Sequence, residues 1–301
     1  MAAIGQKWVP LYQIDAFTDK PFGGNAAAVC LLGDEELSDD RLQKIAVEMN
    51  QSETAFISKL SPQDDFNTSS VFRLRWFTPA SEVLLCGHAT LASAAALFYV
   101  IKNPSPQLTF QTLSGDLFAR RDGDFISLDL PENKTQPQDE EKYKDLIKAT
   151  IGSLPVQDLH FCSSVGGDLL VRIPDSITRK QFEEMKPDVQ GMMAAHHDQI
   201  GDGVIVTLKG SVENGCVDEE GVQYDFVSRF FDPWSGLPED PVTGSAHTVL
   251  ASYWAEELGK TEFYARQCSE RAGVLRVRLR GDGRVDIKGQ AVVVTTGKIN
   301  I

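Results

Sequence analysis

Apolar and polar residues alternate from Val9 to Phe17, which predicts a first β-strand, and a turn rich in Gly, Pro and Asp follows over Thr18 to Asn25. Ala26 to Leu32 is a short unbroken apolar run and reads as a buried strand. Ser38 to Met49 reads as a helix: Ser38 is a good N-cap, and Leu42, Ile45, Ala46 and Met49 fall on one face. Strands are expected at Ala55–Ser58 and, from the alternation of apolar residues with Arg and Trp, at Phe72–Phe77. Cys86 to Val100 differs in kind. After a small turn, Cys86-Gly87-His88, it carries no charge and almost no polar side chain. A helix that is apolar all round, and too short to span a bilayer, belongs in a protein core. Leu108 to Leu130 then reads as a meander of three strands, with turns at Ser114-Gly115-Asp116 and Asp122-Gly123.

Residues 131–149 are charged and contain proline, the clearest shift of composition in the chain, and they end in an expected helix at Lys142 to Ile151. Beyond them the first half returns. Arg75-Trp-Phe-Thr-Pro is echoed by Arg229-Phe-Phe-Asp-Pro, and Gly87-His-Ala-Thr by Gly244-Ser-Ala-His. A second apolar helix runs from Ala246 to Leu258, and a meander follows it, with Asp282-Gly283 as its hairpin turn. Matched features in one order imply an internal duplication: two domains of one kind, with a cleft between them suited to a small ligand.

The net charge of −14 argues against nucleic acid and anionic membranes as partners. No segment approaches the length of a membrane span, and Met1 to Asp15 lacks the pattern of a secretory signal. The five cysteines (30, 86, 162, 216 and 268) are scattered, so neither a disulfide framework nor a zinc site is indicated, and a reducing cytoplasm is expected.

Chemistry is expected at the starts of the two apolar helices, where free N–H groups and the helix dipole favour an anion. The first offers Glu53, Cys86 and His88, and the second Asp240, Thr243, Ser245 and His247. Glu53 is either a capping or solvated residue or a carboxylate raised in pKa by burial, able to shuttle a proton. Asp240 is either a turn residue before Pro241 or a group that binds a substrate amine or holds His88. Both histidines lie in a first helical turn and are expected to be neutral, as hydrogen-bond partners or relays rather than metal ligands. His196-His197 reads as a surface turn. Nucleotide-loop and serine-hydrolase patterns are missing from the sequence, so carboxylate recognition is expected.

Asp15-Ala-Phe, Gly24-Asn-Ala-Ala-Ala-Val, Asn50-Gln-Ser-Glu-Thr-Ala-Phe, Trp76-Phe-Thr-Pro, Cys86-Gly-His-Ala-Thr and Asp240-Pro-Val-Thr-Gly-Ser-Ala occur in this order. With these pieces the sequence resembles the PhzF (phenazine biosynthesis-like) proteins, within the diaminopimelate epimerase-like fold. The resemblance implies an α+β protein of two pseudo-symmetric domains, each a mainly antiparallel β-sheet wrapped around a central buried helix. The expected division is residues 1–130 with 290–301, a linker at 131–149, and residues 150–289, the last strand returning to the first domain. Homodimers are common in the family. The resemblance also assigns Glu53, His88 and Asp240 as catalytic residues. It assigns Asn25, Cys86, Gly87, Thr243, Gly244 and Ser245 as substrate-binding residues, with no metal and no cofactor.

Epimerases and racemases of this fold place a cysteine at both helix starts. Here Thr243 stands where the second thiol would be, which argues against two-thiol racemisation. The expected activity is a cofactor-independent isomerisation, in which one glutamate moves a proton within a small carboxylate-bearing substrate. The family's best-known member acts in this way on a dihydro-hydroxyanthranilate. The alternatives are a single-cysteine epimerase or dehydratase of an amino or hydroxy acid, and a catalytically silent binding or regulatory protein.

Overall fold

The structure is a computed structural model and describes residues 7–33, 35–164, 167–195 and 203–301. The His196-His197 pair lies outside the described residues. The chain divides into two compact units, Met1–Asp129 with Lys288–Ile301, and Leu130–Ile287. Among the described residues, no helix is long and apolar enough to cross a membrane.

The first unit opens with β1 (Trp8–Ala16), β2 (Asn25–Gly33), α1 (Asp39–Met49), β3 (Glu53–Ser58), β4 (Val71–Phe77) and β5 (Glu82–Val83). The buried helix α2 (Gly87–Ala95) follows and runs on through a π-helical turn over Ala96–Val100. The meander of β6 (Gln107–Thr112), β7 (Gly115–Asp122) and β8 (Phe125–Pro131) comes after it. β2 pairs antiparallel with β1 and parallel with β3. β3 pairs antiparallel with β4, which pairs antiparallel with β5 and parallel with β6, and the meander completes the sheet.

Both faces of this sheet are covered. Cys30 and Leu32 of β2 pack with Leu42, Ile45 and Ala46 of α1. The alternate residues of the strand, Val29 and Leu31, point by the pleat to the other face. Hence β2 is apolar without alternation. α2 lies against β1, β2, β3 and β7, and its residues from His88 to Ala95 are all buried. Alanine and serine keep it thin enough for strands to close around it, and Ser93 satisfies its hydroxyl on the Ala89 carbonyl at 2.7 Å.

The second unit comprises β9 (Gln136–Pro137), α3 (Glu140–Ile151), β10 (Asp158–Cys162), β11 (Asp168–Arg172), α4 (Arg179–Glu184), α5 (Val189–Ala194), β12 (Gly203–Lys209) and β13 (Phe226–Asp232). It continues with β14 (Leu237–Asp240), the buried helix α6 (Gly244–Leu258), β15 (Glu262–Gln267), β16 (Gly273–Leu279) and β17 (Arg284–Gly289). Its pairings repeat those of the first unit. β10–β11 is antiparallel, β11–β12 parallel, β12–β13 antiparallel, β13–β14 antiparallel, β13–β15 parallel and β15–β16 antiparallel. Tyr143, Leu146, Phe182 and Met192, from the outer helices, join Leu169, Val171, Val204 and Val206 in its core.

Each sheet also receives an added strand. β9 pairs antiparallel with β10, and β18 (Ala291–Asn300) pairs antiparallel with β1 along its whole length, from Trp8 opposite Asn300 to Ala16 opposite Ala291. The repeat reaches the side chains. Arg75 grips Glu82 through two hydrogen bonds of 2.6 and 2.7 Å, and Arg229 grips Glu239 through two of 2.7 and 2.8 Å. In both units this bidentate pair ties the long strand to the short one that leads into the buried helix.

The turn before β2 is tight. Gly24 has φ +59°, and a Cβ there would stand 2.0 Å from the Ala16 carbonyl oxygen, whereas Gly33, at φ +64°, has open space around it. Gly24→Ala is expected to lose about 2–4 kcal/mol of unfolding free energy and Gly33→Ala about 1 kcal/mol. Equal losses in denaturant titrations would rule out the steric account.

Candidate active site

The first unit gathers its polar residues where β2, β3 and α2 begin. Gly24 and the preceding turn, in which Phe22 N–H donates to Asp15 Oδ2 at 2.7 Å, deliver Asn25 to the start of β2. Parallel pairing sets Ala27 beside Glu53, so Ser52 and Glu53 arrive next to Asn25. Cys86 is the N-cap of α2, with Gly87 and His88 in its first turn. Thr90 satisfies the Cys86 carbonyl with its hydroxyl at 2.5 Å.

His88 is the hub, and its side chain is 5% exposed. Nδ1 lies 3.1 Å from Asn25 Nδ2 and 3.5 Å from Cys86 Sγ, and Nε2 lies 3.2 Å from Ser52 Oγ and 3.0 Å from Glu53 Oε2. With the ring proton on Nε2, Asn25 donates to Nδ1 and His88 donates to Ser52. A second proton on Nδ1 requires the Asn25 amide to turn over and present its oxygen. Glu53 Oε2 is buried and lies 3.0 Å from His88 Nε2, in ionic contact with the ring.

The protonation states differ from the sequence expectation. Burial alone would raise Glu53, but the charge and hydrogen bonds of His88, with Ser52 and Cys86, bring it below the usual carboxylate value. Burial alone would lower His88, but Cys86 and Glu53 facing it raise it well above the usual imidazole value. Burial, and then the Glu53 charge, raise the Cys86 thiol. The expected raised carboxyl at Glu53 and neutral ring at His88 are therefore corrected: burial and the helix dipole favour those states, and the contact among Glu53, Cys86 and His88 outweighs them.

Glu53, Cys86 and His88 each offer one ligand atom within 4.8 Å of the others, a donor set that zinc accepts. The ring, however, turns Nδ1 to Cys86 and Nε2 to Glu53, so no single lone pair faces both. Holding an ion between all three requires the ring to turn.

In the second unit Asp240 ends β14 and Thr243 is the N-cap of α6, with Gly244 and Ser245 in its first turn. The Thr243 hydroxyl contacts Asp240 Oδ2 closely. Gln267 Oε1 accepts the Thr243 N–H at 2.8 Å, and Gln267 Nε2 donates to the Asp240 carbonyl at 2.7 Å. Thr243 therefore spends its donors inside the protein. His247 donates from Nδ1 to the Thr243 carbonyl at 2.8 Å, and burial pushes it down to about 4. Its neutrality agrees with expectation.

Asn25, Glu53, Cys86 and His88 thus meet in the first unit, and Asp240 and Thr243 in the second. The sequence reading overlooked Ser52 and Gln267. Ser52 stood inside the Asn50-Gln-Ser-Glu-Thr stretch already singled out. Gln267 carried a signal too, because it occupies an inward position in the alternation of Phe263 and Ala265, where an apolar residue is the norm.

Fold and site together define an α+β protein with an epimerase-like frame and a carboxylate–imidazole pair at a buried helix start. The sequence model of the family described as "Phenazine biosynthesis-like protein" matches residues 14–297. A human phenazine biosynthesis-like domain-containing protein is 53% identical over 97% of this chain and 99% of its own. A protein of Pseudomonas aeruginosa named as an uncharacterized isomerase is 40% identical over 97% of this chain and 98% of its own. The solved structure of a PhzF-family protein from Enterococcus faecalis superposes with a TM-score of 0.81 at 33% identity, covering 98% of this chain and all of that one. The chain belongs to the PhzF, or phenazine biosynthesis-like, family, and its relatives support an isomerase-type function.

The Glu53–His88 pair fixes a pH dependence of stability. The lowered Glu53 contributes above the ordinary carboxylate value of 4.5 and loses its contribution as pH falls through its folded value. The raised His88 contributes fully below the ordinary 6.5 and loses its contribution as pH rises through its folded value. Glu53→Gln is therefore expected to cost most stability near pH 6 and less in stronger acid and in base. Unfolding titrations at about pH 3, 6 and 9.5 test this. A loss that does not vary with pH would overturn the ionic pairing.

Proposed function

We propose that the protein is a cofactor-independent isomerase that moves one proton within a small, carboxylate-bearing molecule. The observation that carries this reading is the Glu53 carboxylate: half-buried, held anionic by His88, and with Oε2 3.0 Å from the imidazole Nε2. Such a carboxylate is ionised and able to accept a proton. Glu53 takes a proton from carbon, the released electron pair enters a conjugated, enolate-like system, and the proton returns to another carbon of the same molecule. The exchange is redox-neutral and consumes no second reactant.

The first-turn N–H groups of α2, at Gly87 and His88, and of α6, at Gly244 and Ser245, suit a carboxylate or the developing charge. Asn25 holds His88 in place, and Asp240 orients a substrate amine or hydroxyl. Thr243 acts through Asp240, since its own donors are taken. Cys86 serves as part of the wall. Its raised, protonated thiol gives little support to a thiolate base, although a single-thiol epimerase remains the rival.

Deuterium wash-in separates the readings. The protein is incubated in D₂O with small amino and hydroxy carboxylic acids, including a dihydro-hydroxyanthranilate, and carbon-bound hydrogens are followed by NMR. Wild-type exchange is expected to fall at least about a hundredfold in Glu53→Gln, the scale of a lost general base, and to survive in Cys86→Ser. Full exchange by Glu53→Gln would overturn the glutamate mechanism, and loss confined to Cys86→Ser would install the thiol mechanism. A compound that raises the melting temperature without exchange would indicate a binding protein.

A further inference from the structure

Gln267 is fully buried at the end of β15, in line with the apolar Phe263 and Ala265. A buried amide must have its partners, and those of Gln267 all belong to the loop that carries Asp240. Its orientation follows from the main chain. A backbone N–H can only donate, so the amide oxygen must face Thr243 N at 2.8 Å. A backbone carbonyl can only accept, so the amide nitrogen must face Asp240 O at 2.7 Å. Both contacts select the same orientation. The nitrogen then also faces Thr243 Oγ1 at 3.1 Å and makes that oxygen an acceptor. The hydroxyl has one proton of its own, and the remaining close neighbour is Asp240 Oδ2.

We propose that Gln267 is a positioning residue: it commits the proton of Thr243 Oγ1 to Asp240 and so fixes the carboxylate's rotation at the start of α6. Its functional consequence rests on the reading of Asp240 as the group that orients the substrate. A glutamate at this position would match the shape of Gln267 and still accept the Thr243 N–H. Its other oxygen, however, would oppose the Asp240 carbonyl and draw the hydroxyl proton away from the carboxylate.

The direct test is neutron diffraction from crystals of the wild-type protein exchanged into D₂O. The expected map shows a deuteron on Thr243 Oγ1 directed at Asp240 Oδ2, and the deuterons of the Gln267 amide directed at Asp240 O and Thr243 Oγ1. A hydroxyl deuteron directed elsewhere, or a reversed amide, overturns the proposal whatever the activity. The consequence is read from wash-in kinetics. Gln267→Glu and Thr243→Val should each weaken exchange about tenfold, as expected for a lost hydrogen bond to a charged group, with the loss in KM. The double variant should be no worse than Thr243→Val alone, and Thr243→Ser should keep near-normal exchange. Additive losses, or a loss equally large in Thr243→Ser, would reduce Gln267 to a packing residue. A wild type that exchanges none of the compounds sinks the proposed function, while the neutron map still decides the proton's direction.

Discussion

A helix enclosed by a sheet can present little but its ends. In α2 every residue from His88 to Ala95 is buried, and alanine and serine dominate because strands must close around it. The sides of the helix are committed to packing, so polar chemistry is confined to its first turn. The strands feed the same place. Parallel pairing of β2 with β3 puts their starts side by side, and with them Asn25, Ser52 and Glu53. The position of the candidate site is thus a consequence of the packing constraint. Removing the small residues would first disturb the closure of the sheet and only then the chemistry.

The duplication shows which features belong to the frame and which to the site. Strand pairings and the bidentate Arg–Glu clamp before each buried helix are the same in both units. At the N-caps the units part. The Cys86 carbonyl is satisfied by the hydroxyl of Thr90, and the Thr243 carbonyl by the ring of His247. One need of the helix end, an acceptor wanting a donor, is met by two different residues at equivalent positions. The polar groups diverge more widely: a carboxylate–imidazole couple in one unit, and in the other an aspartate in contact with a threonine hydroxyl.

Much of the frame could be read from periodicity. The two apolar helices, the meander with its turns, and the Ser38-capped helix stand where the pattern puts them, because local burial writes itself into local sequence. The π-helical end of the first buried helix left no such mark. β10 to β12 depend on partners distant in the chain and leave little local mark, whereas α4 and α5 do carry local signals, the Thr178–Gln181 capping box and the Asp188 N-cap. At the site the residue types were legible and their charges were not. Glu53 and His88 stand far apart in sequence, and each alone invites the wrong sign of pKa shift. Their 3.0 Å contact reverses Glu53, and Cys86 together with Glu53 reverses His88.

That reversal bears on how a proton could be moved. A glutamate tuned near neutrality would spend part of its time protonated and unable to act as a base. Glu53, lowered by His88, is ready to accept, at the cost of being a weaker base. The weakness is offset by where the charge goes. In the proposed isomerisation, Glu53 takes a proton from a bound carbon acid, and the negative charge leaves the carboxylate and appears on the substrate. His88, whose positive form the carboxylate favoured, then faces the new anion, and the N–H groups of the first helical turn face it as well. In that step charge is shifted between neighbouring groups rather than created, and fixed dipoles stabilise such a shift without reorganising. The same arrangement favours return of the proton, because the His88 field that holds Glu53 anionic at rest draws the proton back off it.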